Sequence, residues 1–361
     1  MSNDYYRVRE ACLAVEDRFR LRRTAPGDRT AGRRPTRAET EKAQRRGQPE
    51  APRITLKRAV STAAASASGE DEFFGRLEQA GVVVRRRFST RNPGQVTGYS
   101  VALPGDTAKT GEPVWYGGGK LAADLTLPKL RQRWADVDPS LDGCRAGAEL
   151  TGHERAAIWE HAARTATDAA GQIRDLSAAG DRDGAADAAW AAADTLHAAA
   201  AALGSRVVRE AATAYDRAAR LPYGRLPRRT PAGTSLRRAA RLLSVAGYAG
   251  HDRTLAHAAL VTRLAGLAEA VSELRMAEQH RAQAAAARSA AMSLRGRGGS
   301  DTESAVRMMR QSGRASTLAH EAFLRSPQTA PPRPAPSAPR GGRAPAGWSR
   351  PAARRPGGPG H

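Results

Sequence analysis

Apolar positions in the first fifty residues form one stripe and then stop. Tyr5, Val8, Cys12, Val15 and Phe19 recur at steps of three and four, which predicts an amphipathic helix over 3–22 opening after the Asn3-Asp4 cap signal. Residues 23–52 mix Arg, Thr, Pro, Gly and Glu with almost nothing apolar beyond alanine. Such a stretch buries too little surface to order itself, and it reads as a solvated linker.

From Arg53 to Trp134 large apolar residues return. Ile54, Leu56 and Val60 start one helix; Phe73, Phe74 and Leu77 form the face of a second, closed by Gly81. The period then changes to two. Val82, Val84 and Phe88 share a face with Arg86, while Thr97, Tyr99, Val101 and Leu103 alternate with Gly98, Ser100 and Ala102. With Asn92-Pro93-Gly94 supplying turn chemistry between them, the two runs predict a β-hairpin. Leu125, Leu127, Pro128, Leu130 and Trp134 predict a closing helix. The module at 53–135 is therefore expected to be ααββα.

Residues 149–326 are dominated by alanine with sparse Leu, Val, Trp and Met, and breaks fall at Gly180–Gly184, Pro222–Gly233 and Gly296–Ser300. Long helices in a bundle or coiled-coil-like array follow, although no tight leucine seam is present. The remainder, 327–361, is rich in proline and arginine with no acidic residue, the composition of a disordered basic tail. The expected fold class is mainly α, a small α+β module followed by a long Ala-rich helical region, with a disordered basic linker and tail.

Charge narrows the partner. Fifty-eight basic against 36 acidic residues leave a net charge of +22 over 361 residues. An excess of that size is self-repelling unless a polyanion or solvated tails carry part of it, so nucleic acid is the first partner to consider. Arginine supplies nearly all of it, with Lys42, Lys57, Lys109, Lys120 and Lys129 as the only lysines. Arginine's planar fork suits phosphate, but arginine and alanine in excess are also what a GC-rich genome produces. The two cysteines, Cys12 and Cys144, exclude a disulfide framework, a four-cysteine zinc site and a CxxC redox pair. No apolar run approaches the ~20 residues of a membrane span and no signal peptide opens the chain, so no membrane insertion and a cytoplasmic location are expected.

Two basic clusters are candidates for phosphate contact. Arg85, Arg86, Arg87 and Arg91 lie on and just beyond the first hairpin strand, where Arg85 and Arg87 project from one face; the plain alternative is a charged face that keeps a small sheet soluble. Arg217, Arg220, Arg225, Arg228, Arg229, Arg237, Arg238 and Arg241 occur with no acid among them between 217 and 241, which reads as a phosphate clamp or as a solvated run. Lys120 follows Gly117, Gly118 and Gly119, yet Val114 and Leu121 stand where a nucleotide phosphate loop requires Gly and Ser or Thr. That leaves a flexible turn delivering one lysine. His153 and His161 are eight apart, about 12 Å along a helix, too far for one metal. Tyr5 and Tyr6 could attack a phosphodiester only with a bound cation and a base, and the first 152 residues hold no histidine. Neither a metal nor a cofactor is expected.

The strings NDYYRVREAC (Asn3 to Cys12), LRRTAPGDRT (Leu21 to Thr30), RRPTRAETEKA (Arg33 to Ala43), FFGRLEQAGVVVRRRFSTRNPGQVTGYSVALPG (Phe73 to Gly105) and WYGGGKLAADLTLPKLRQRW (Trp115 to Trp134) carry a resemblance. Together they look like the part of actinobacterial plasmid mobilization relaxases that follows the nuclease domain. Relaxases nick one DNA strand at a transfer origin with an N-terminal tyrosine and a metal-holding histidine cluster. This chain resembles the family from just after its last histidine motif, so no metal-site histidine carries over, and Tyr5 and Tyr6 match the helix beyond that motif. The resemblance implies a non-catalytic DNA-binding remnant or accessory part of a relaxase. Its alternatives are a helical scaffold docking on a relaxase or coupling protein, with homo-oligomerisation through 149–326, and a fragment of an active nicking enzyme.

Overall fold

The alternation from helix to strand period between Leu77 and Val84 marks a real change of structure. In a computed structural model, residues 3–21, 27–135, 150–247 and 255–296 are described. Helix α3 (Pro52–Ser66) opens with proline in its first turn, and α4 (Glu70–Gln79) carries Glu70, Asp71 and Glu72 at its positive end before Gly81, at φ 73°, turns the chain. Strands β1 (Val83–Phe88) and β2 (Val96–Ala102) pair antiparallel, with Arg85 opposite Ser100 and Arg87 opposite Gly98. Sequence reasoning missed a short third strand, β3 (Tyr116–Gly117), which pairs with β2 and leaves β1 at the edge. Helix α5 (Gly118–Leu121) and helix α6 (Leu127–Trp134) complete the module.

Its core is Leu56, Val60, Phe73, Phe74, Leu77, Tyr99, Val101, Leu130 and Trp134, all buried. Phe73 lies 5.3 Å from Tyr99 and 5.4 Å from Trp134 between ring centroids, a cluster whose pairs stabilise by about 0.5–1.5 kcal/mol each beyond burial. The Tyr99 hydroxyl donates to the Leu125 carbonyl at 2.6 Å. Gly118 sits directly beneath that bond, where a Cβ would stand 2.1 Å from the Leu125 oxygen and 2.5 Å from the Tyr99 hydroxyl. The glycine run before Lys120 thus has a packing reason at its middle residue.

The 23–52 stretch departs from expectation. Helix α1 spans Asn3–Arg18 as the stripe predicted, yet Val8, Val15 and Phe19 face outward. Helix α2 (Arg37–Arg45) stands inside the segment read as a linker. Apolar burial does not hold it. Thr36 and Glu39 form a reciprocal capping box, and the Glu39 carboxylate also accepts from Arg53 at 2.8 Å and from the Tyr116 hydroxyl at 3.0 Å. Polar side chains reaching into the module do what the composition could not.

The described part of the alanine-rich region folds as α7 (Gly152–Ala178), α8 (Arg182–Leu203), α9 (Arg206–Ala219), α10 (Pro231–Ala246), α11 (Leu255–Ala277) and a helix α12 at 281–296, and the helices expected over 297–326 lie outside the described residues. Helix α8 is the axis of the bundle, flanked by α3, α7, α9 and α10. Ala185, Ala186, Ala188, Ala189, Ala191 and Ala192 are all fully buried, so alanine occupies every side of α8 because helices approach from every side. The chain breaks at Gly180 (φ 75°) and between α9 and α10 as predicted, and again at Gly204 (φ 56°), which the sequence reading passed over. The expected tail at 327–361 lies outside the described residues. The described residues form a mainly α fold within the compact unit 1–310, and no described helix is long and apolar enough to cross a membrane.

Module and bundle meet through buried charge. Asp216 on α9 pairs with Lys57 on α3 at 2.6 Å and with His197 Nε2 on α8 at 2.8 Å, and Arg220 pairs with Asp124 at 2.6 Å. Burial alone would raise the Asp216 carboxyl, but Lys57, His197 and Arg220 hold it well below the usual carboxylate range. Burial opposes Asp124 in the same way, and Arg220 brings it down. Arg133 on α6 pairs with Asp194 on α8 with both side chains almost wholly buried, adding a third tie.

Candidate nucleic-acid interface

Alternation along β1 sends successive arginines to opposite faces of the sheet. Arg86 lays its guanidinium over the Phe74 ring at 4.5 Å but remains exposed, and it also borders the groove. Arg85 and Arg87 point outward, as the spacing predicts. Arg85 stacks on the Trp115 indole at 4.5 Å and its Nε lies 3.4 Å from Ser100 Oγ, while Arg87 Nε donates to Thr97 Oγ1 at 3.3 Å. These residues line an open groove of about 1020 Å³, with Lys120 and Gly119 at its rim. Its floor is small: Gly98, Ser100 and Gly117 leave the outer face of the sheet without bulk. The geometry offers three forked cations, one lysine and an indole on an open surface.

Among the described residues, none of Arg85, Arg86, Arg87, Arg91 or Lys120 is ion-paired to a carboxylate. All five are exposed, with Arg91 on the turn that joins β1 to β2. A surface of unneutralised arginines beside an aromatic can bind phosphate and stack a base. Trp115 was missed by sequence reasoning, although its position two residues before the triple glycine was the signal available.

The second cluster does not hold together as a clamp. No acid lies within 217–241, yet other helices supply them. Arg225 and Arg228 face Asp183 at 3.6 Å and Asp181 at 2.9 Å, at the start of α8, and Arg229 donates to the Gln132 carbonyl. Arg237 is a correction: it is buried, paired with Asp187, and 5.3 Å from the Trp190 ring centre, where no ligand reaches it. Arg220 is buried as well. Arg238 is exposed on α10 and Arg241 is half-buried. Helical spacing puts Arg237 and Arg241 on the side of α10 that packs inward, a consequence invisible to a count of charge along the chain.

Among the described residues no group of three or more His, Cys, Asp or Glu is placed to hold a metal ion. His197 is packed against Asp216, and His257 lies edge-on to Trp159 at 4.3 Å. Comparison with protein-family models, with characterised proteins and with solved structures found no match.

Proposed function

We propose that this chain is a cytoplasmic, non-catalytic nucleic-acid-binding protein of plasmid mobilization, holding DNA by its phosphate backbone near a transfer origin or a nicking partner. The observation that carries the binding reading is the outer sheet face, where Arg85, Arg87 and Lys120 line one groove with Trp115 and, among the described residues, no carboxylate pairs with the cations. The mobilization context rests on the relaxase resemblance of residues 3–134. Contacts of this kind fix a strand's position and give salt-sensitive affinity without reading sequence. Fluorescence anisotropy with labelled duplex and single-stranded DNA at about 50 mM salt tests it, since weak salt is where phosphate contacts are strongest. Absence of binding to both forms would overturn it. Incubation with supercoiled plasmid and Mg²⁺ or Mn²⁺ should leave the plasmid uncut.

A second reading, a helical interaction protein docking on a relaxase or coupling protein or pairing with its own copy, draws support from the outward Val8, Val15, Phe19 and Leu21 around α1. Replacing Arg85, Arg86 and Arg87 with glutamine separates the two. Lost DNA affinity with an unchanged oligomeric state favours the first reading, and unchanged affinity with lost partner capture favours the second.

A further inference from the structure

A second basic pocket lies beside helix α5 and shares Gly119 with the groove on the sheet face. It encloses about 550 Å³, within the range of small-ligand sites, and Arg29, Arg33, Lys129 and Tyr223 line it together with Gly119 and Thr126. Gly119 and Thr126 also line the groove on the sheet face. The two depressions therefore adjoin along Gly119 and Thr126.

The charge inside this pocket is unbalanced. Arg29 and Arg33 are exposed, and none of the three cations is ion-paired among the described residues. The nearby carboxylates are engaged elsewhere, Asp28 by the Thr30 backbone N–H and hydroxyl and Asp124 by Arg220. Lys129 donates to two neutral acceptors, the carbonyls of Ala123 at 2.7 Å and Gly224 at 2.6 Å. Burial pulls its ammonium below the usual lysine range, Asp124 opposes that, and Arg29 adds to it. Such a group of cations gains from an anion.

The backbone around the pocket is also unusual. Arg29 (φ 61°) and Tyr223 (φ 57°) both occupy the left-handed region, which side-chain-bearing residues seldom adopt. The Tyr223 N–H donates to the Asp28 carbonyl at 2.6 Å, so the two strained turns brace each other. Strain of this kind persists where surrounding structure enforces it and clusters at ligand sites. Here it sets an arginine and a half-exposed tyrosine ring on the same pocket wall.

We propose that this pocket is a second phosphate-binding subsite, so that a nucleic-acid strand lying on the outer sheet face crosses Gly119 and places a further part of its backbone against Arg29, Arg33 and Lys129. The inference rests on the sheet-face reading and assigns the path of the strand beyond it. Lys129 also holds two loops through its carbonyl contacts, whereas the Arg29 and Arg33 side chains make no such contact among the described residues and are the ones to vary.

The test uses the whole chain and fluorescein-labelled oligothymidylates of about 4 and about 12 nucleotides, bracketing the usual span of strand-binding grooves. The variant is Arg29→Asn with Arg33→Gln, asparagine being tolerant of the left-handed region, and its melting temperature confirms folding. The wild type should gain about tenfold in affinity from the shorter to the longer strand. The variant should lose that gain, with a salt slope lower by about 1.4, two phosphates at about 0.7 each. A variant that keeps both gain and slope overturns the subsite while the sheet face stands, provided Arg85→Gln with Arg87→Gln weakens binding. Failure of the wild type to bind either strand removes the sheet-face reading and the subsite together.

Discussion

The guanidinium of Arg85 lies over the indole of Trp115, 4.5 Å from the ring centre, at the side of an open groove. The pair joins strand β1 to the segment that enters β3, and both side chains line the same groove. Replacing Trp115 with alanine should weaken single-strand binding by roughly 5- to 150-fold, the loss expected from one stacked base at about 1–3 kcal/mol. Anisotropy titration measures it. Tryptophan emission in the wild type should also change on binding, and should change less in the variant.

Arg237 and Arg225 belong to one basic run in sequence but make opposite predictions. Arg237 is buried against Asp187, so Arg237→Ala leaves a buried carboxylate unpaired and should destabilise by about 3–5 kcal/mol. Arg225 and its partner Asp183 are largely exposed, and Arg225→Ala should cost under about 1 kcal/mol. Urea unfolding of both variants measures the difference.

Asp216 and Asp124 make the junction between module and bundle sensitive to acid. Both carboxyls lie below their ordinary value in the folded protein, despite burial, because Lys57, His197 and Arg220 favour the ionised form. Depressed folded values mean that their stabilisation is complete above the unfolded value near 4 and is lost as pH falls through the folded values. Unfolding free energy should therefore drop on acidification below about pH 4. Asp216→Asn should be less stable at neutral pH and should show a shallower acid limb.

Gly118 should not tolerate even one added methyl. A Cβ there meets a backbone oxygen and the Tyr99 hydroxyl, neither of which can move without breaking the bond between Tyr99 and Leu125. Gly118→Ala should lower stability by roughly 1–3 kcal/mol, the usual result of overpacking. Gly119→Ala meets only the Thr126 methyl at 3.1 Å and should cost less. Paired thermal melts distinguish the two positions.

The elements with strong periodicity were legible in the sequence. Phe73, Phe74 and Leu77 marked α4, and the alternation from Val82 onward marked the hairpin and the outward faces of Arg85 and Arg87. Strand β3 was not legible, because two residues carry no period and Tyr116–Gly117 pairs only where β2 already stands. Helix α2 was hidden for another reason: Glu39, Arg53 and Tyr116 hold it through polar contacts between residues far apart in the chain. The same blindness affected charge. Asp181, Asp183 and Asp187 lie on or beside the start of α8, and folding brings them to arginines some forty to fifty residues later.

The salt dependence of DNA binding, compared between the wild type and an Arg85→Gln, Arg87→Gln, Lys120→Gln variant, tests the central claim most directly. Anisotropy titrations on single-stranded DNA from about 50 to about 200 mM salt should give a linear fall in log affinity for the wild type, with a slope shallower by about 2 in the variant, three phosphates at about 0.7 each. Equal slopes and equal affinities in the two proteins would contradict it, because the groove on the outer sheet face would then carry none of the contact.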